Sequence, residues 1–157
     1  MIHIQLITKI DAPIERCFDL SRSIDLHIKS VDHTGEQAIA GVTTGLIGND
    51  EEVTWRGHHF GFLITHTSRI TAYKSPVYFQ DVMVRGAFRS YCHDHYFETH
   101  GLHTLMRDEV RLAAPLAILG IIAERLVLER HMRTLLQRRN LTIKQAAESS
   151  EWKKYLN

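Results

Sequence analysis

The most constraining feature of this chain is a pair of alternating segments followed directly by one long amphipathic segment. Polar and apolar residues alternate through residues 89–97 and again through 102–110, and His100-Gly101 separates the two runs. A period of two predicts strands, and a short separator that contains glycine predicts a hairpin. The alternation also places His93, His95 and Asp108 on strand faces shared with apolar residues, where a plain core would hold only hydrocarbon. The sequence therefore predicts a hairpin that leads into a helix and carries a polar pocket.

Length and composition place the chain among single-domain globular proteins. Its 157 residues are enough for one domain that buries roughly two-thirds of the surface of the unfolded chain. The 44% of hydrophobic and 24% of charged residues exclude a disordered or membrane-type composition. Nineteen basic and eighteen acidic side chains give a formal net charge of +1, which creates no field that would attract nucleic acid. We expect no nucleic-acid partner.

Cysteine usage and the apolar segments indicate a cytoplasmic protein. Cys17 and Cys92 stand alone, without a Cys-x-x-Cys or metal-type spacing, and we expect both to be reduced thiols. Residues 1–6 alternate like a strand and lack the basic region, apolar core and cleavage site of a signal peptide. The most apolar run, residues 112–123, is shorter than the roughly twenty residues that a membrane helix requires. The sequence therefore predicts no membrane span.

The first fifty residues predict one strand, two short helices and a weak strand. Residues 2–10 alternate, and Asp11-Ala-Pro13 then supplies an N-cap and a first-turn proline for a short helix over residues 14–20. A serine at position 21 or 23 can cap a second short helix. Glycines 35, 41, 45 and 48 indicate a weak strand and a loop.

The middle of the chain predicts a meander of antiparallel strands. Strand patterns cover residues 53–55, 60–73 and 77–84, before the hairpin already described. The separators, such as Gly57 with His58 and His59, are too short to hold a crossover helix. Consecutive strands must therefore pair in antiparallel fashion.

The last predicted unit is one long amphipathic helix that begins at Pro115 and ends near Arg139 or Asn140. Its apolar stripe must be buried, and its arginines are most simply the solvent-exposed face. We expect one domain over residues 1–141 and a tail over 142–157, either a loosely attached helix or an exposed end. The predicted fold class is α+β: a curved antiparallel sheet of six or seven strands gripping a long C-terminal helix, with two short helices after the first strand.

Local sequence patterns then add a resemblance that spans nearly the whole chain. They are the segments 53–61 and 76–81, Gly86-Ala-Phe88 with His93-Asp-His95 and Phe97, and Gly101 with Met106-Arg-Asp108. With the order of elements, these patterns resemble the START-like superfamily, also called SRPBCC or helix-grip proteins. They are most similar to small bacterial members described as polyketide cyclase or dehydrase-like. The resemblance implies a ligand-binding domain with a cavity between sheet and long helix that receives a mostly apolar small molecule.

His93 and His95 are the strongest candidates for chemistry because they are two residues apart on one strand face. A metal site would need a third ligand, for which His66, Asp81 and Asp108 are available, but the spacing matches no known zinc pattern. The sequence therefore predicts no metal. Acid–base work is the alternative, with one histidine accepting a proton while the other, or Asp108, donates or orients. A third interpretation is that Asp108 only bonds a backbone donor or a cross-strand histidine and stabilises the sheet.

Residues that would wall such a cavity come from several strands and from the long helix. Individually each apolar one is expected to be plain core, and the parity of Asp81 is ambiguous because both faces of its strand are apolar. The predicted ligand-binding residues are Trp55, Phe60, Phe62, Phe79, Asp81, His93, His95, Phe97, Met106, Asp108, Ile118, Leu119 and Ile122.

Covalent and nucleotide chemistry find no support in the sequence. Ser90 and Cys92 fall on the strand face opposite His93 and His95, which denies a direct Ser-His or Cys-His contact within that strand. The chain has neither a Gly-x-Gly-x-x-Gly motif nor a Walker-type loop. We expect no cofactor.

Three functional hypotheses follow. The leading one is a cytoplasmic carrier or sensor that binds a small hydrophobic or aromatic molecule between the sheet and helix residues 118–126, with His93, His95 and Asp108 as polar anchors. The second is an enzyme of the cyclase or dehydratase type that uses those anchors as acid and base. The third is a domain that works through protein contacts of its arginine-rich helix and tail.

Overall fold

One antiparallel sheet forms the body of the molecule. The structure, a computed structural model, describes residues 1–113 and 123–156. Its strands are β1 (Ile2–Ile10), β2 (Gln37–Gly41), β3 (Glu52–His59), β4 (Phe62–Lys74), β5 (Tyr78–Arg85), β6 (Ser90–His100) and β7 (His103–Ala113). They follow the spatial order β1-β7-β6-β5-β4-β3-β2, and all neighbours are antiparallel. The predicted meander and the predicted six or seven strands are confirmed.

Four helices accompany the sheet in the described residues. They are α1 (Ile14–Ser21), α2 (Ile24–Ser30), α3 (Ala123–Glu148) and α4 (Lys153–Leu156). Ser23, one of the two predicted caps, accepts a bond from the Leu26 N–H at 3.3 Å. Pro13 occupies the N-cap position of α1 without a side-chain cap, so the predicted capping residue before the proline is wrong. None of the described helices is both long enough and apolar enough to cross a membrane.

The predicted hairpin is present and is the longest ladder in register. β6 and β7 pair from Ser90 with Ala113 to His100 with His103. The turn lies at residues 101–102, and Gly101 has φ +62°, a conformation that glycine adopts without strain. In β7 every second residue is buried, including Asp108, as the alternation predicts.

The turn between β3 and β4 differs from the prediction. β3 continues through Gly57 and His59, and the turn lies at Phe60 and Gly61, which have φ +54° and +80°. Gly57 serves close packing instead, because a Cβ there would come within 3.0 Å of the Glu36 backbone. The sequence-based separator was therefore wrong, and the glycine allows the segment before β2 to lie against β3.

Two apolar clusters flank the middle of the sheet. Phe18 of α1 is the centre of the larger one, and its ring packs edge-on against Tyr73, Phe79 and Phe97 with centroids 5.4–5.5 Å apart. Such aromatic pairs stabilise the fold by about 0.5–1.5 kcal/mol each beyond their burial. The smaller cluster joins β1 and β7 to α3 through Leu136. Polar side chains occupy the region between these clusters.

The long helix ends later than predicted. α3 continues past Asn140 to Glu148 and buries Ile143, Ala146 and Ala147 in the larger cluster. The segment from residue 142 is therefore firmly packed, which corrects the expectation of a loose tail, and Trp152 packs on the same cluster. The physical reason is that the apolar stripe continues beyond Asn140. The predicted start of the helix at Pro115 lies outside the described residues.

Candidate functional site

A cavity of about 1100 Å³ lies between the inner face of the sheet, α2 and α3. It is large enough for a drug-sized ligand, since pockets for such molecules have volumes of about 300–1000 Å³. Side chains from alternate positions of β3 to β6 form one wall, as the pleat of a sheet requires. Its apolar lining includes Trp55, Ile64, Ile70, Phe79, Met83, Leu128, Met132 and Leu135.

Most of the predicted pocket residues reach this cavity. Seven of them line it: Trp55, Phe60, Phe62, Phe79, Asp81, His93 and His95. Phe60 and Phe62 are 50% and 72% exposed, which places them at the rim. The ambiguous parity of β5 is resolved, because Asp81 faces the cavity together with Phe79 and Met83.

Three predicted pocket residues lie behind the wall instead. Phe97 and Met106 belong to the apolar cluster under α1, because β6 and β7 extend past the cavity to the place where that helix covers them. Asp108 is 1% exposed, lies behind His93 and His95, and is not among the described residues that line the cavity. Ile118, Leu119 and Ile122 lie outside the described residues.

Three neighbouring strands bring two histidines and two aspartates together, a group that we call the His–Asp cluster. Asp81 of β5 stands opposite His93 of β6, and His95 of β6 stands opposite Asp108 of β7. The two hydrogen bonds within the cluster join His95 Nε2 to Asp81 Oδ2 at 3.1 Å and His93 Nε2 to Asp108 Oδ1 at 2.9 Å. The sheet register alone therefore assembles the cluster from residues that are up to 27 positions apart in sequence.

The second nitrogens of the two imidazole rings meet the remaining carboxylates. His93 Nδ1 lies 3.7 Å from Asp81 Oδ2, and His95 Nδ1 lies 3.0 Å from Asp108 Oδ1. The latter pair is close enough but is not aligned for a hydrogen bond. Among the buried side-chain nitrogen and oxygen atoms of the described residues, His95 Nδ1 is consequently the one that has no hydrogen-bond partner. The two rings lie against each other with centroids 3.7 Å apart.

Asp108 is anchored by the C-terminal half of α3. Asn140 Nδ2 donates to Asp108 Oδ2 at 2.7 Å, and Arg139 Nη1 lies 3.4 Å from Oδ1. Burial raises the pKa of Asp108, but the contacts with His93 and His95 outweigh it and hold the pKa well below its ordinary value. The buried carboxylate is therefore ionised and compensated by its neighbours.

The chemistry of the cavity-facing members differs from that of free side chains. Burial and the neighbouring His95 lower the pKa of His93 to about 4, so this ring is neutral at pH 7. Burial raises the pKa of Asp81, but the bond from His95 reverses this and leaves it below its ordinary value. Burial raises the pKa of Tyr91 well above its ordinary value, which keeps its hydroxyl protonated 3.5 Å from His93 Nδ1. The cavity wall thus offers an anionic acceptor, a neutral base and a hydroxyl donor.

A second polar group, the Glu36 cluster, lies at the β3 side of the cavity. Glu36 accepts from His27 Nε2 at 2.8 Å and from His59 Nε2 at 3.3 Å, and His59 Nδ1 lies 3.3 Å from His131 Nε2. Burial raises the pKa of Glu36, yet the bonds from His27 and His59 leave it below its ordinary value. Burial lowers the pKa of His66, which the charges of Glu36 and Asp81 oppose.

Sequence reasoning missed Glu36, Arg139 and Asn140. Glu36 stands in a segment whose glycines indicated a weak strand and a loop, and no local pattern marks it as buried. Arg139 was assigned to the solvent-exposed face of the helix but is 7% exposed and donates to the Ser21 carbonyl at 2.8 Å. A signal did exist, because Leu136, Asn140 and Ile143 follow the i, i+4, i+7 spacing of a buried stripe.

The structure agrees with the predicted position of Cys92 on the strand face opposite the two histidines. Cys92 points to the other face of β6, where its sulfur lies 3.4 Å from Arg111 Nη2. Burial raises the pKa of the Cys92 thiol, so it is not an activated nucleophile. What the site can do is bind a polar group, move a proton or bind a cation.

Solved structures share this architecture across almost the full chain. TTHA0849 from Thermus thermophilus has a TM-score of 0.73 at 16% identity, covering 94% of this chain and 100% of that one. A START superfamily protein from Mycobacterium smegmatis has a TM-score of 0.69 at 8% identity, covering 93% and 97% of the two chains. The di-domain ARO/CYC StfQ of the steffimycin biosynthetic pathway has a TM-score of 0.73 at 9% identity, covering 93% of this chain and 50% of that one. The chain therefore has the START-like, helix-grip fold.

Comparisons of sequence give no match. No protein-family model matches the chain, and no curated protein sequence matches it either. The identities of 8–16% to the three solved structures establish the fold alone, so the function has to be argued from the site.

Proposed function

We propose that this protein binds a small hydrophobic or aromatic molecule in the cavity and holds a polar group of that molecule at the His–Asp cluster. The observation that carries the proposal is the combination of a 1100 Å³ cavity with apolar walls and one buried polar cluster that faces it. Apolar walls supply affinity, and a few fixed polar groups supply orientation. A cytoplasmic carrier or sensor fits this arrangement, and the two free cysteines fit a reducing compartment.

The electrostatics of the wall favour a neutral ligand that carries a hydroxyl or carbonyl group. Asp81 is ionised and would repel a carboxylate, whereas it accepts a bond from a hydroxyl. The Tyr91 hydroxyl, which lines the same wall, donates to a carbonyl. Phe79, stacked on His95 with centroids 4.1 Å apart, offers an aromatic face beside them. A planar aromatic molecule with such a substituent satisfies all three.

The test is ligand binding to a protein whose cavity has been filled. Ser68 lines the cavity from β4, while Thr65 on the same strand is exposed, so Ser68→Trp and Thr65→Trp form a matched pair. The probe is the neutral fluorescent aromatic N-phenyl-1-naphthylamine, with acetonaphthone as a second neutral ligand that competes for the cavity. We expect Ser68→Trp to weaken binding of both at least tenfold, about 1.4 kcal/mol, while Thr65→Trp leaves it unchanged. Equal affinities in the two variants, with native circular dichroism, would refute the proposal.

The second candidate function is an acid–base enzyme of the cyclase or dehydratase type. The observation that favours it is the neutral His93 beside the ionised Asp81 at the wall of an apolar cavity, which is a base and an acceptor within reach of one bound molecule. The similarity of fold to StfQ, a di-domain ARO/CYC protein, points in the same direction. Proton removal next to a carbonyl is the first step that such chemistry requires.

Deuterium exchange separates the two functions. Acetonaphthone is incubated with the protein in deuterium oxide, and loss of its methyl proton signal is followed by NMR. An enzyme accelerates this exchange, and His93→Gln abolishes the acceleration while affinity for the fluorescent probe stays within about tenfold. A carrier binds the ketone without accelerating exchange.

A further inference from the structure

We propose that Asp81, His93 and His95 bind one divalent transition-metal ion at the wall of the cavity, with Asp108 orienting both imidazole rings. The sequence predicted no metal because the spacing matches no known pattern, but the third ligand comes from the neighbouring strand. The proposal goes beyond the proposed function and does not depend on it, since metal binding is measured without any organic ligand.

The ligand atoms are already close together. One donor atom from each of the three residues can be chosen so that all lie within 4.8 Å of one another. Asp81 Oδ2 lies 3.1 Å from His95 Nε2 and 3.7 Å from His93 Nδ1. Ligands of a tetrahedral zinc ion, with bonds of about 2.0–2.1 Å, are roughly 3.3 Å apart. The two contacts bracket this value, so an ion fits after small side-chain rotations.

Each imidazole ring lies between two carboxylates. One nitrogen of each ring faces Asp81, and the other faces Asp108. The two nitrogens that face Asp81 therefore lie on the same side of the cluster as the carboxylate that lines the cavity. An ion bound by these two nitrogens and Asp81 leaves the second nitrogen of each ring facing Asp108.

Asp108 has the position of a supporting carboxylate. A histidine that binds a metal commonly donates its other N–H to a carboxylate, which fixes the tautomer and the orientation of the ring. Asp108 Oδ1 lies 2.9 Å from His93 Nε2 and 3.0 Å from His95 Nδ1. A metal on His95 Nε2 leaves the proton of that ring on Nδ1, which has no hydrogen-bond partner in this structure. A small rotation of the ring aligns this proton with Asp108 Oδ1. Asn140 bonds the other oxygen of Asp108 at 2.7 Å and holds it in place.

The donor set and its exposure define the class of ion. Two imidazole nitrogens and one carboxylate oxygen suit Zn²⁺, Fe²⁺ and related ions, whereas Mg²⁺ and Ca²⁺ prefer oxygen ligands. The Asp81 side chain is 20% exposed and lines the cavity, so the remaining coordination positions face the cavity. The Tyr91 hydroxyl is 3.5 Å from His93 Nδ1, at the outer limit of a hydrogen bond, and does not block that nitrogen.

Cobalt provides the test because its visible spectrum reports its coordination. Protein dialysed against a chelator is titrated with Co²⁺ and then with Zn²⁺. We expect one equivalent of Co²⁺ to produce the intense visible bands of a four- or five-coordinate ion, and Zn²⁺ to abolish them. Only the weak spectrum of hydrated Co²⁺ from the wild-type protein would overturn the proposal.

Variants locate the site. Asp81→Asn and His95→Phe remove ligands, and the phenyl ring of the latter preserves the stacking on Phe79. The matched control is His59→Phe, which makes the same change in the Glu36 cluster. We expect Co²⁺ affinity to fall more than a hundredfold in the first two and to stay unchanged in the control, while Asp108→Asn costs about 10–100-fold. Loss of binding in the control alone would refute this site.

Two further measurements keep the result interpretable. If a variant does not fold, the imidazole NMR signals of the wild-type protein still decide, because Zn²⁺ must shift those of His93 and His95 and leave that of His27 unchanged. Shifts confined to other histidines overturn the proposal. Affinity for N-phenyl-1-naphthylamine is measured in parallel, so that failure of metal binding is distinguished from failure of the proposed ligand cavity.

Discussion

The hydrogen bond from Asn140 to Asp108 should be one of the strongest single contributions to the stability of this fold. Asn140 Nδ2 donates to Asp108 Oδ2 at 2.7 Å, and the two residues are 3% and 1% exposed. A bond to a charged acceptor contributes about 1.5–3 kcal/mol, and the bond to Thr8 Oγ1 at 3.2 Å adds about 0.5–1 kcal/mol. Asn140→Leu removes both with little change of shape, and it also removes the bond that Asn140 Oδ1 accepts from Arg139 Nη1 at 3.3 Å, which contributes about 0.5–1 kcal/mol. Burial of the leucine returns about 1 kcal/mol.

We therefore expect Asn140→Leu to lower the free energy of unfolding by about 1.5–4 kcal/mol, which lowers Tm by roughly 3–16 °C. Urea unfolding measures it, followed by circular dichroism and by the fluorescence of Trp55 and Trp152. Asn49→Leu is the matched control, because Asn49 bonds an aspartate, Asp50, on the surface at 2.9 Å. Its free energy of unfolding should change by less than about 0.5 kcal/mol.

A double-mutant cycle tests the assignment to Asp108. In an Asp108→Asn background, the loss caused by Asn140→Leu should shrink by about 1 kcal/mol or more, because the acceptor no longer carries a charge. Equal losses in both backgrounds would refute the reasoning, as would equal losses for the leucine variants at positions 140 and 49.

Three other predictions test the fold and the second polar cluster. Because the pKa of Glu36 is lower in the folded protein, its ionised form stabilises the fold above the unfolded pKa of about 4.3, and this stabilisation is lost as the pH falls. Between pH 6 and 3 the free energy of unfolding should therefore decrease less in Glu36→Gln than in the wild type. Urea titrations at each pH measure this difference. Ile143→Ala should cost about 2–5 kcal/mol in urea unfolding, whereas Leu141→Ala, at a position 53% exposed, should change stability by less than about 0.5 kcal/mol; similar values would contradict the burial of the C-terminal part of α3. Gly101→Ala should lower the free energy of unfolding by about 1 kcal/mol, and Gly101→Asn by less, because φ is +62°. No neighbour lies within 4 Å of an added Cβ, so the loss comes from the backbone conformation alone. Equal Tm values for the wild type and both variants would exclude backbone strain.

The sequence predicts the architecture well because strand and helix periodicities are local properties. The alternation of β6 and β7 is enough to place His93 and His95 on one face and Asp108 on the buried face of the next strand. The same reasoning does not tell which side of a buried histidine a given carboxylate occupies. The position of the carboxylate depends on the register of β6 with a third strand, β5. Asp81 of β5, the residue of ambiguous parity, completes the cluster.

The errors have a common physical origin in contacts between segments that are distant in sequence. Gly57 suggested a turn, but it is in a strand because the Glu36 backbone packs against it. Asn140 suggested a helix end, but its side-chain amide donates a hydrogen bond to Asp108, 32 residues earlier, and the helix continues. Glu36 itself lies in a segment predicted only as a weak strand and a loop, and no local pattern shows that two histidines contact it.

The anchoring of Asp108 couples the cavity wall to the long helix thermodynamically. One carboxylate bonds His93 on one side and Asn140 of α3 on the other. The strength of the His93–Asp108 bond and that of the Asn140–Asp108 bond are coupled, because both bonds use the same carboxylate. Since linkage is reciprocal, an event that changes the first bond changes the second by the same coupling free energy. Amide hydrogen exchange in the C-terminal half of α3 should therefore report what occupies the cavity, even though the exchanging amides do not touch the occupant.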